Sequence, residues 1–194
     1  MYADVWTWEK CRNSLKTLQG RLGFPNTSTL SFLQLSLSLE TGEILDEIRH
    51  KPYPEIKPNI YCILSGYAQA KPTTETQKLI SFSHLPGGAA YKTAFIRRAV
   101  QPIERTFGDH AHRLWTAAKI FDSERLSYSD HSVKIRALPL APITIILYES
   151  TSEFAASANM LFDSTISNYL TTEQIAMLGQ LTSLRLAHVN EAIA

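Results

Sequence analysis

The sequence predicts an α+β fold in which a mostly antiparallel sheet packs against several helices, within one domain spanning residues 1–194. The length of 194 residues and the 44% hydrophobic content are sufficient for one sizeable core. Segments in which apolar and polar residues alternate are grouped between segments with helical periodicity, which is typical of this class. The regular alternation of strand and helix that builds a doubly wound parallel sheet is missing.

The elements of the first part follow from hydrophobic periodicity and from turn residues. Apolar residues recur every three or four positions where a helix is predicted, and every second position where a strand is predicted. Gly and Pro mark the ends of these segments. The predicted elements are a helix over 4–22 capped by Asp4, a hairpin with strands at 30–39 and 43–48 around a turn at Thr41–Gly42, an extended connector over 51–58, and a helix from Pro58 to Tyr67.

The same patterns continue through the rest of the chain. They predict a loop over 71–77, a strand over 79–84, a turn over 85–88, and a helix over 91–107 that Pro102 kinks or interrupts and Gly108 ends. After it they predict a helix over 114–121, strands within 125–149, a helix over 154–166, and a last helix opening at Thr171. Thr171-Thr-Glu-Gln174 is a capping box, in which two side chains satisfy two free amides. Pro139 and Pro142 place the strands beside them at a sheet edge or a sharp connection.

Composition and charge narrow the classes of function. The net charge is +1, whereas nucleic-acid binding needs a basic excess, so we expect no nucleic-acid partner. No apolar run is long enough to predict a membrane span. The first residues lack the basic and apolar regions of a secretory signal. Cys11 and Cys62 lie in apolar helical patterns and are expected to be free core thiols, which predicts a reducing cytoplasm.

A turn followed by a helix is the first candidate site. Leu85-Pro-Gly-Gly88 opens the helix, and free amides at such a start attract anions. The residues predicted to bind a phosphate or carboxylate there are His84, Gly87, Gly88, Lys92, Arg97 and Arg98. The spacing does not match a Walker loop, because Tyr91 precedes Lys92 where that motif has glycine. The alternative is a tight turn that needs glycine for its backbone angles.

His110 and His112 form a second, weaker candidate, for a metal site. With Asp109 they could supply three ligands. At the start of a helix, however, alternate residues splay apart by about 200°. Asp109 is also explained as the N-cap of the following helix. There is no nucleophile elbow, and neither cysteine has an activating neighbour, so nucleophilic catalysis is not expected.

Acidic residues dominate the C-terminal part. Residues 1–100 carry twelve Lys and Arg against eight Asp and Glu, a net +4, and residues 101–194 carry seven against ten, a net −3. Glu149, Glu153 and Asp163 are therefore candidates for an interaction face that meets a basic partner. Two carboxylates in one pocket can also perform acid–base work. If one helix carried Glu153 and Asp163, they would lie about 80° apart on neighbouring faces. Capping and solvation are the alternatives.

The order of several short motifs resembles a known family. These motifs are Ile80–Gly88, Tyr91 with Phe95, Phe107–Asp109, Leu138–Pro142, Glu153–Phe154, Asn159–Asp163 and Tyr169–Glu173. Between residues 79 and 184 they resemble the uncharacterised prokaryotic domain of unknown function numbered 3786. The resemblance implies an anaerobic setting beside four-iron–four-sulfur domains, and metallo-redox or one-carbon corrinoid chemistry. The family has no established catalytic residues to carry over.

The chain departs from this pattern in two ways. It has no cysteine cluster, so its own cysteines cannot hold an iron–sulfur centre. Family members often have a more acidic stretch with tryptophan where this chain has 148–154. The first hypothesis is therefore a non-catalytic accessory protein that docks onto a metalloenzyme or redox protein. The second is a small-molecule or cofactor-binding domain with its anion site at the Pro-Gly-Gly turn.

Overall fold

The computed structural model describes residues 2–129 and 131–193, and it confirms the α+β class. Two antiparallel sheets are present there rather than one. The small sheet has the order β1-β2-β3-β4: β1 Thr29–Phe32, β2 Leu35–Ser38, β3 Ile44–Asp46 and β4 Lys51–Pro52. The large sheet has the order β5-β9-β8-β7-β6: β5 Leu79–Ser81, β6 Ser123–Leu126, β7 His131–Leu138, β8 Ala141–Tyr148 and β9 Ser157–Asp163.

Helices cover one face of the large sheet and flank the small one, and a hydrophobic cluster runs through both. They are α1 Tyr2–Val5, α2 Trp8–Lys16, α3 Lys57–Tyr67, α4 Gly88–Phe95, α5 Gln101–Phe107, α6 His112–Ala118 and α7 Thr172–Ile193. A π-helical turn, Ile96–Val100, joins α4 to α5. No helix in the described part of the chain combines the length and apolar character needed to cross a membrane.

The N-terminal helix is shorter than the predicted 4–22. Asp4 lies inside α1, and Thr7, with extended backbone, precedes α2. Beyond Lys16 the chain continues as tight turns, because Gly20 and Leu22 have φ angles of 67° and 50°. A left-handed residue cannot continue a right-handed helix, although the apolar residues at helical spacing are still buried.

The predicted strand 30–39 folds back on itself and forms two strands. The reversal occurs at Leu33 and Gln34, whose φ angles are 47° and 55°. Two positive φ angles define the hairpin turn that normally carries Asn or Gly, so these residues give no turn signal. The buried Arg185 supplies what the local sequence lacks, because it donates hydrogen bonds to both carbonyl oxygens. The next reversal follows the prediction, at Thr41–Gly42.

The predicted helix over 154–166 is wrong, because β9 occupies most of this range. β9 pairs with β5 on one side and with β8 on the other. Its alternate residues Met160 and Phe162 face the core, whereas Asn159 is exposed. A short apolar run such as this one satisfies both periodicities, and the vacant position between two strands decides for the strand.

The helical segment around Pro102 behaves as predicted. Pro102 has no amide hydrogen, and the turn before it widens to a π-helix in which Gln101 N–H donates to Ile96 O. Gly108 ends α5. The two strands near Pro139 and Pro142 also meet at a sharp connection, because Leu138 and Ala141 pair across the turn between β7 and β8.

Candidate functional site

The Pro-Gly-Gly turn needs both of its glycines for backbone reasons. Gly87 has a φ of 72° and open space around it. At Gly88, an added Cβ would lie 2.0 Å from the carbonyl oxygen of Phe82. Gly88 N–H closes the turn by donating to Leu85 O at 2.8 Å. The glycines therefore set the path of the chain into α4.

The residues of the predicted anion site are not gathered into one pocket. His84 Nδ1 lies 2.8 Å from Ser81 Oγ, in the segment that precedes the turn. Lys92 and Arg97 are exposed on the α4–π segment. Arg98 differs from them, because it lines a groove that also includes Pro86 of the turn.

This groove, of about 440 Å³, lies between the α4–π segment and the first half of α7, and we call it the α4–α7 groove. Its floor contains Phe82 and Phe95, whose rings stack with centroids 4.1 Å apart and planes 5° apart. Gly179 allows α7 to approach this floor, because a Cβ there would lie 2.9 Å from both Met160 and Phe95. The other lining residues are Pro86, Tyr91, Ala94, Arg98, Thr172, Glu173, Ala176, Met177 and Gln180.

An exposed aromatic residue and opposite charges stand at the edge of the groove. Tyr91 is 66% exposed, the second most exposed of the large apolar residues in the described chain, after Phe154. Arg98 extends from the π turn, and Glu173 lies in the first turn of α7. The groove thus combines an apolar centre with a charged margin, the general composition of a protein-binding patch.

Hydrogen bonds at the start of α7 hold the two walls together. Thr172 Oγ1 donates to Pro86 O at 2.7 Å, which ties the helix to the Pro-Gly-Gly turn. The predicted capping box is confirmed: Thr171 N–H donates to Gln174 Oε1 at 3.0 Å, and Gln174 N–H to Thr171 Oγ1 at 3.3 Å. Gln174 Nε2 also donates to Cys62 O at 2.9 Å, anchoring the helix to α3.

The π turn is fixed from behind by α7. Ser183 Oγ donates to Ala99 O at 2.5 Å. This bond satisfies a carbonyl within the irregular part of the helix. The position of Arg98, next to Ala99 in the chain, therefore depends on this buried hydrogen bond from Ser183. Turns of π-helix are frequent at functional sites.

His110 and His112 are closer than the prediction of splayed rings allows. Their ring centroids lie 6.2 Å apart, edge to face, because His110 belongs to the turn before α6 and not to the helix. Asp109 is not the N-cap: Ala111 holds that position, and Asp109 Oδ1 accepts from Ser150 Oγ at 2.7 Å. Residues 2–129 and 131–193 contain no group of three or more His, Cys, Asp or Glu suited to a metal ion.

The three predicted acidic residues do not lie together. Tyr148 pairs with Ser157, and Ile143 with Phe162, so Glu149 and Asp163 lie near opposite ends of this strand pair. At about 3.3 Å per residue, this places them about 20 Å apart. The 80° relation expected on a helix does not apply.

Glu149 and Glu153 have different surroundings. Glu149 Oε1 accepts from Ala111 N–H at 3.2 Å, and its Oε2 lies 3.9 Å from His131 Nε2. Glu153 is exposed and follows the end of β8. Only Glu153 therefore has a fully solvent-facing position.

Asp163 is buried and holds a loop. Burial would raise the pKa of its carboxyl, but hydrogen bonds from the amide and hydroxyl of Thr165 and from the amides of Thr76 and Gln77 outweigh burial and lower the pKa. The charged carboxylate thus fixes residues 76–77 against the end of β9. The role of this carboxylate is therefore structural.

The structure contains two ion-pair groups that the sequence analysis did not predict. Glu75 bonds to Lys134 and to Arg136 on β7, and these partners overcome burial and lower the pKa of Glu75. Arg185, fully buried, pairs with the buried Asp46. A signal for the second set exists in the sequence: Arg185 is a lone basic residue in an apolar helical pattern, and Asp46 occupies an inward position of its strand.

Cys11 and Cys62 are buried and free, as predicted.

No curated protein and no solved structure matches the chain. The model of one protein family matches it over residues 14–185, a longer stretch than the motifs between 79 and 184. The chain therefore belongs to the family described as a domain of unknown function, DUF3786.

Proposed function

We propose that this protein is a non-catalytic accessory protein that docks onto a metalloenzyme or redox protein, with an iron–sulfur or corrinoid centre, in an anaerobic prokaryotic pathway. The observation that carries the docking proposal is the α4–α7 groove, with its stacked aromatic floor and exposed Tyr91. Tyrosine and arginine are enriched among the residues that contribute most to protein binding, and Tyr91 and Arg98 both line this groove.

The groove suits an apolar segment of a partner protein. Ala94, Ala176 and Met177 line its sides with small or flexible apolar groups, which adapt to a protruding side chain. Arg98 would meet an acidic group of that segment, and Glu173 a basic one. The segment would thus carry apolar residues in its middle and opposite charges toward its ends.

The carboxylates with lowered pKa values hold the fold, so we assign them no catalytic role. Burial alone would raise the pKa of Asp46, Glu75 and Asp163, but arginine, lysine, amide or hydroxyl donors outweigh burial and lower it. Each of these carboxylates holds a loop or strand in place. Their charge is therefore used by the fold, and a catalytic acid or base would need a free reacting partner.

The redox character of the partner rests on the family resemblance of the sequence. Two buried, free thiols support a reducing cytoplasm as the location. The anion site predicted at the Pro-Gly-Gly turn contributes one residue to the present proposal. Arg98 lines the groove, so we assign it to an acidic group of the partner protein.

Co-purification from the source organism tests the proposal. A tagged wild-type chain should recover an enzyme with an iron–sulfur or corrinoid centre, identified by mass spectrometry and by its visible absorption. Tyr91→Glu should abolish this recovery, because a charge replaces the exposed ring at the groove. Tyr128→Glu is the matched control, since Tyr128 is 58% exposed and does not line the groove. Recovery of no such enzyme, or equal recovery with Tyr91→Glu, would contradict the proposal.

A further inference from the structure

A second concave region lies between the small sheet and the turn that joins β7 to β8. This cleft has a volume of about 670 Å³, within the range of sites for small molecules. Its polar lining comes from Ser31 and Ser36 of the small sheet, from Glu47 and His50 between β3 and β4, and from Asp122 before β6 and Arg136 of β7. Phe121 and Pro139 add apolar surface.

Left-handed backbone is concentrated in the walls of this cleft. Leu33, Gln34 and His50 line it, and their φ angles are 47°, 55° and 52°. Such angles are unfavourable for residues with a side chain, and they persist only where the surrounding structure holds them. The walls are therefore fixed from elsewhere in the molecule.

The buried Arg185–Asp46 pair provides this support. Arg185 Nε donates to Leu33 O at 3.0 Å, and Nη2 donates to Gln34 O at 2.9 Å. Asp46 pairs with Arg185 at 2.7 and 2.8 Å. Asp46 Oδ1 also accepts from the amides of the two residues before His50. One ion pair thus positions both left-handed segments of the cleft.

A buried ion pair is an expensive way to stabilise a core, because apolar residues of equal volume often serve as well or better. Here the pair satisfies backbone groups that apolar residues would leave without partners. The pair and the strained turns together give the cleft a fixed shape before any molecule enters, which favours binding.

The charge of the cleft favours a cation. Glu47 and Asp122 are the two carboxylates of the lining, and Arg136 is its one arginine. Arg136 is shared between Glu75, 3.0 Å from its Nη1, and Asp122, whose Oδ2 lies 3.7 Å from its Nε, so one carboxylate charge of the lining is in excess. The side chains of Glu47 and His50, and the two serine hydroxyls, have no hydrogen-bond partner within the described chain. These groups can accept hydrogen bonds from a molecule in the cleft.

We propose that the cleft binds a small organic molecule that carries a protonated amine. The ammonium group donates hydrogen bonds to Glu47 and Asp122, and a second polar group meets Ser31 or Ser36. The alkyl part of the molecule lies along Phe121 and Pro139. This site is separate from the α4–α7 groove and does not depend on docking there.

Calorimetric titration at low salt tests the site with three compounds. They are putrescine, its neutral analogue 1,4-butanediol, and Nα-acetyl-lysine methylamide, whose free ε-amine models a lysine side chain of a protein. Putrescine should bind and butanediol should not, because only the former carries a charge. Glu47→Gln and Asp122→Asn should each weaken putrescine by about tenfold or more, the loss of one charge-assisted hydrogen bond. Glu40→Gln is the matched control, since exposed Glu40 lies outside the cleft, and it should leave binding unchanged.

Three results would overturn the proposal. The first is no heat of binding with putrescine at millimolar concentration. The second is unchanged affinity in both cleft variants, checked to be folded by circular dichroism. The third is binding of Nα-acetyl-lysine methylamide without binding of putrescine, which would show that the cleft binds a lysine side chain of another protein.

Discussion

The α4–α7 groove and the cleft between the sheets are both concave, but they are built by different means. The groove is formed by apolar side chains and by Gly179, and Tyr91 at its edge is mostly exposed to solvent rather than packed into the core. The cleft is formed by backbone turns that Arg185 and Asp46 hold from inside the core. The exposed edge of the groove can therefore change with little effect on the fold, whereas the walls of the cleft cannot.

The substitution Arg185→Met should show the difference between the two regions most clearly. This substitution leaves Asp46 buried without its cation and removes the Arg185 donors to Leu33 O and Gln34 O, of which Gln34 O keeps the Glu47 amide. It should lower the free energy of unfolding by about 3–5 kcal/mol. Urea denaturation measures the change. Adding Asp46→Asn should recover part of the loss, because the amide still accepts from the chain and no unpaired charge remains. A loss under about 1 kcal/mol would mean that the pair does not hold the cleft.

The groove has one point at which it does depend on the fold, the Pro-Gly-Gly turn. Gly88→Ala should lower the free energy of unfolding by about 2 kcal/mol, because its Cβ would overlap the carbonyl of Phe82. Gly87→Asn is the matched variant, since asparagine tolerates a positive φ and the space there is open. It should change stability by less than about 0.5 kcal/mol. Equal losses in the two variants would contradict this account of the turn.

Acid should weaken the region of the buried Arg185–Asp46 pair, because His188 Nδ1 lies 3.4 Å from Arg185 Nη1. Burial, and then the charges of Arg49 and Arg185, lower the pKa of His188 below its ordinary value of 6.5, although Glu191 and Asp46 oppose this. The unfolded chain therefore binds more protons than the folded one just below pH 6.5, so stability falls as the pH falls through this window.

Urea denaturation between pH 7 and pH 5 measures this effect. His188→Gln should flatten the dependence, because the variant lacks the histidine whose pKa is lowered in the folded chain. The carboxylates with lowered pKa values act only in more acidic solution, where Asp46, Glu75 and Asp163 begin to bind protons. A dependence of equal slope in the variant would show that His188 is not its source.

The smallest effect on stability is expected at the groove edge. Tyr91→Ser should change the free energy of unfolding by less than about 0.5 kcal/mol, because two thirds of the Tyr91 side chain is already in solvent. The same variant should lose the partner enzyme in co-purification. A loss of stability comparable with that of Arg185→Met would erase the difference between the two regions.

Much of the groove was predictable, because its parts are local. The turn over 85–88, the helix after it, the interruption at Pro102 and the capping box at Thr171 are all encoded by neighbouring residues. What the sequence could not supply was the packing of the α4–π segment against α7. That contact depends on Gly179, whose role appears only when the two helices meet.

The cleft was not predictable for the opposite reason. Leu33 and Gln34 have no intrinsic preference for a left-handed turn, and the residue that holds them, Arg185, lies about 150 positions later in the chain. β9 was missed for a similar reason, since its partners β5 and β8 decide its conformation. Contacts distant in sequence overrode local periodicity in both cases.

Hydrogen exchange on the purified complex with the partner enzyme tests the central proposal most directly. Docking through the α4–α7 groove predicts that binding slows exchange of amides in 88–98 and 172–180, with little change around Glu149 and Glu153. Protection confined to the region of Glu149 and Glu153, with the groove exchanging as in the free protein, would contradict it.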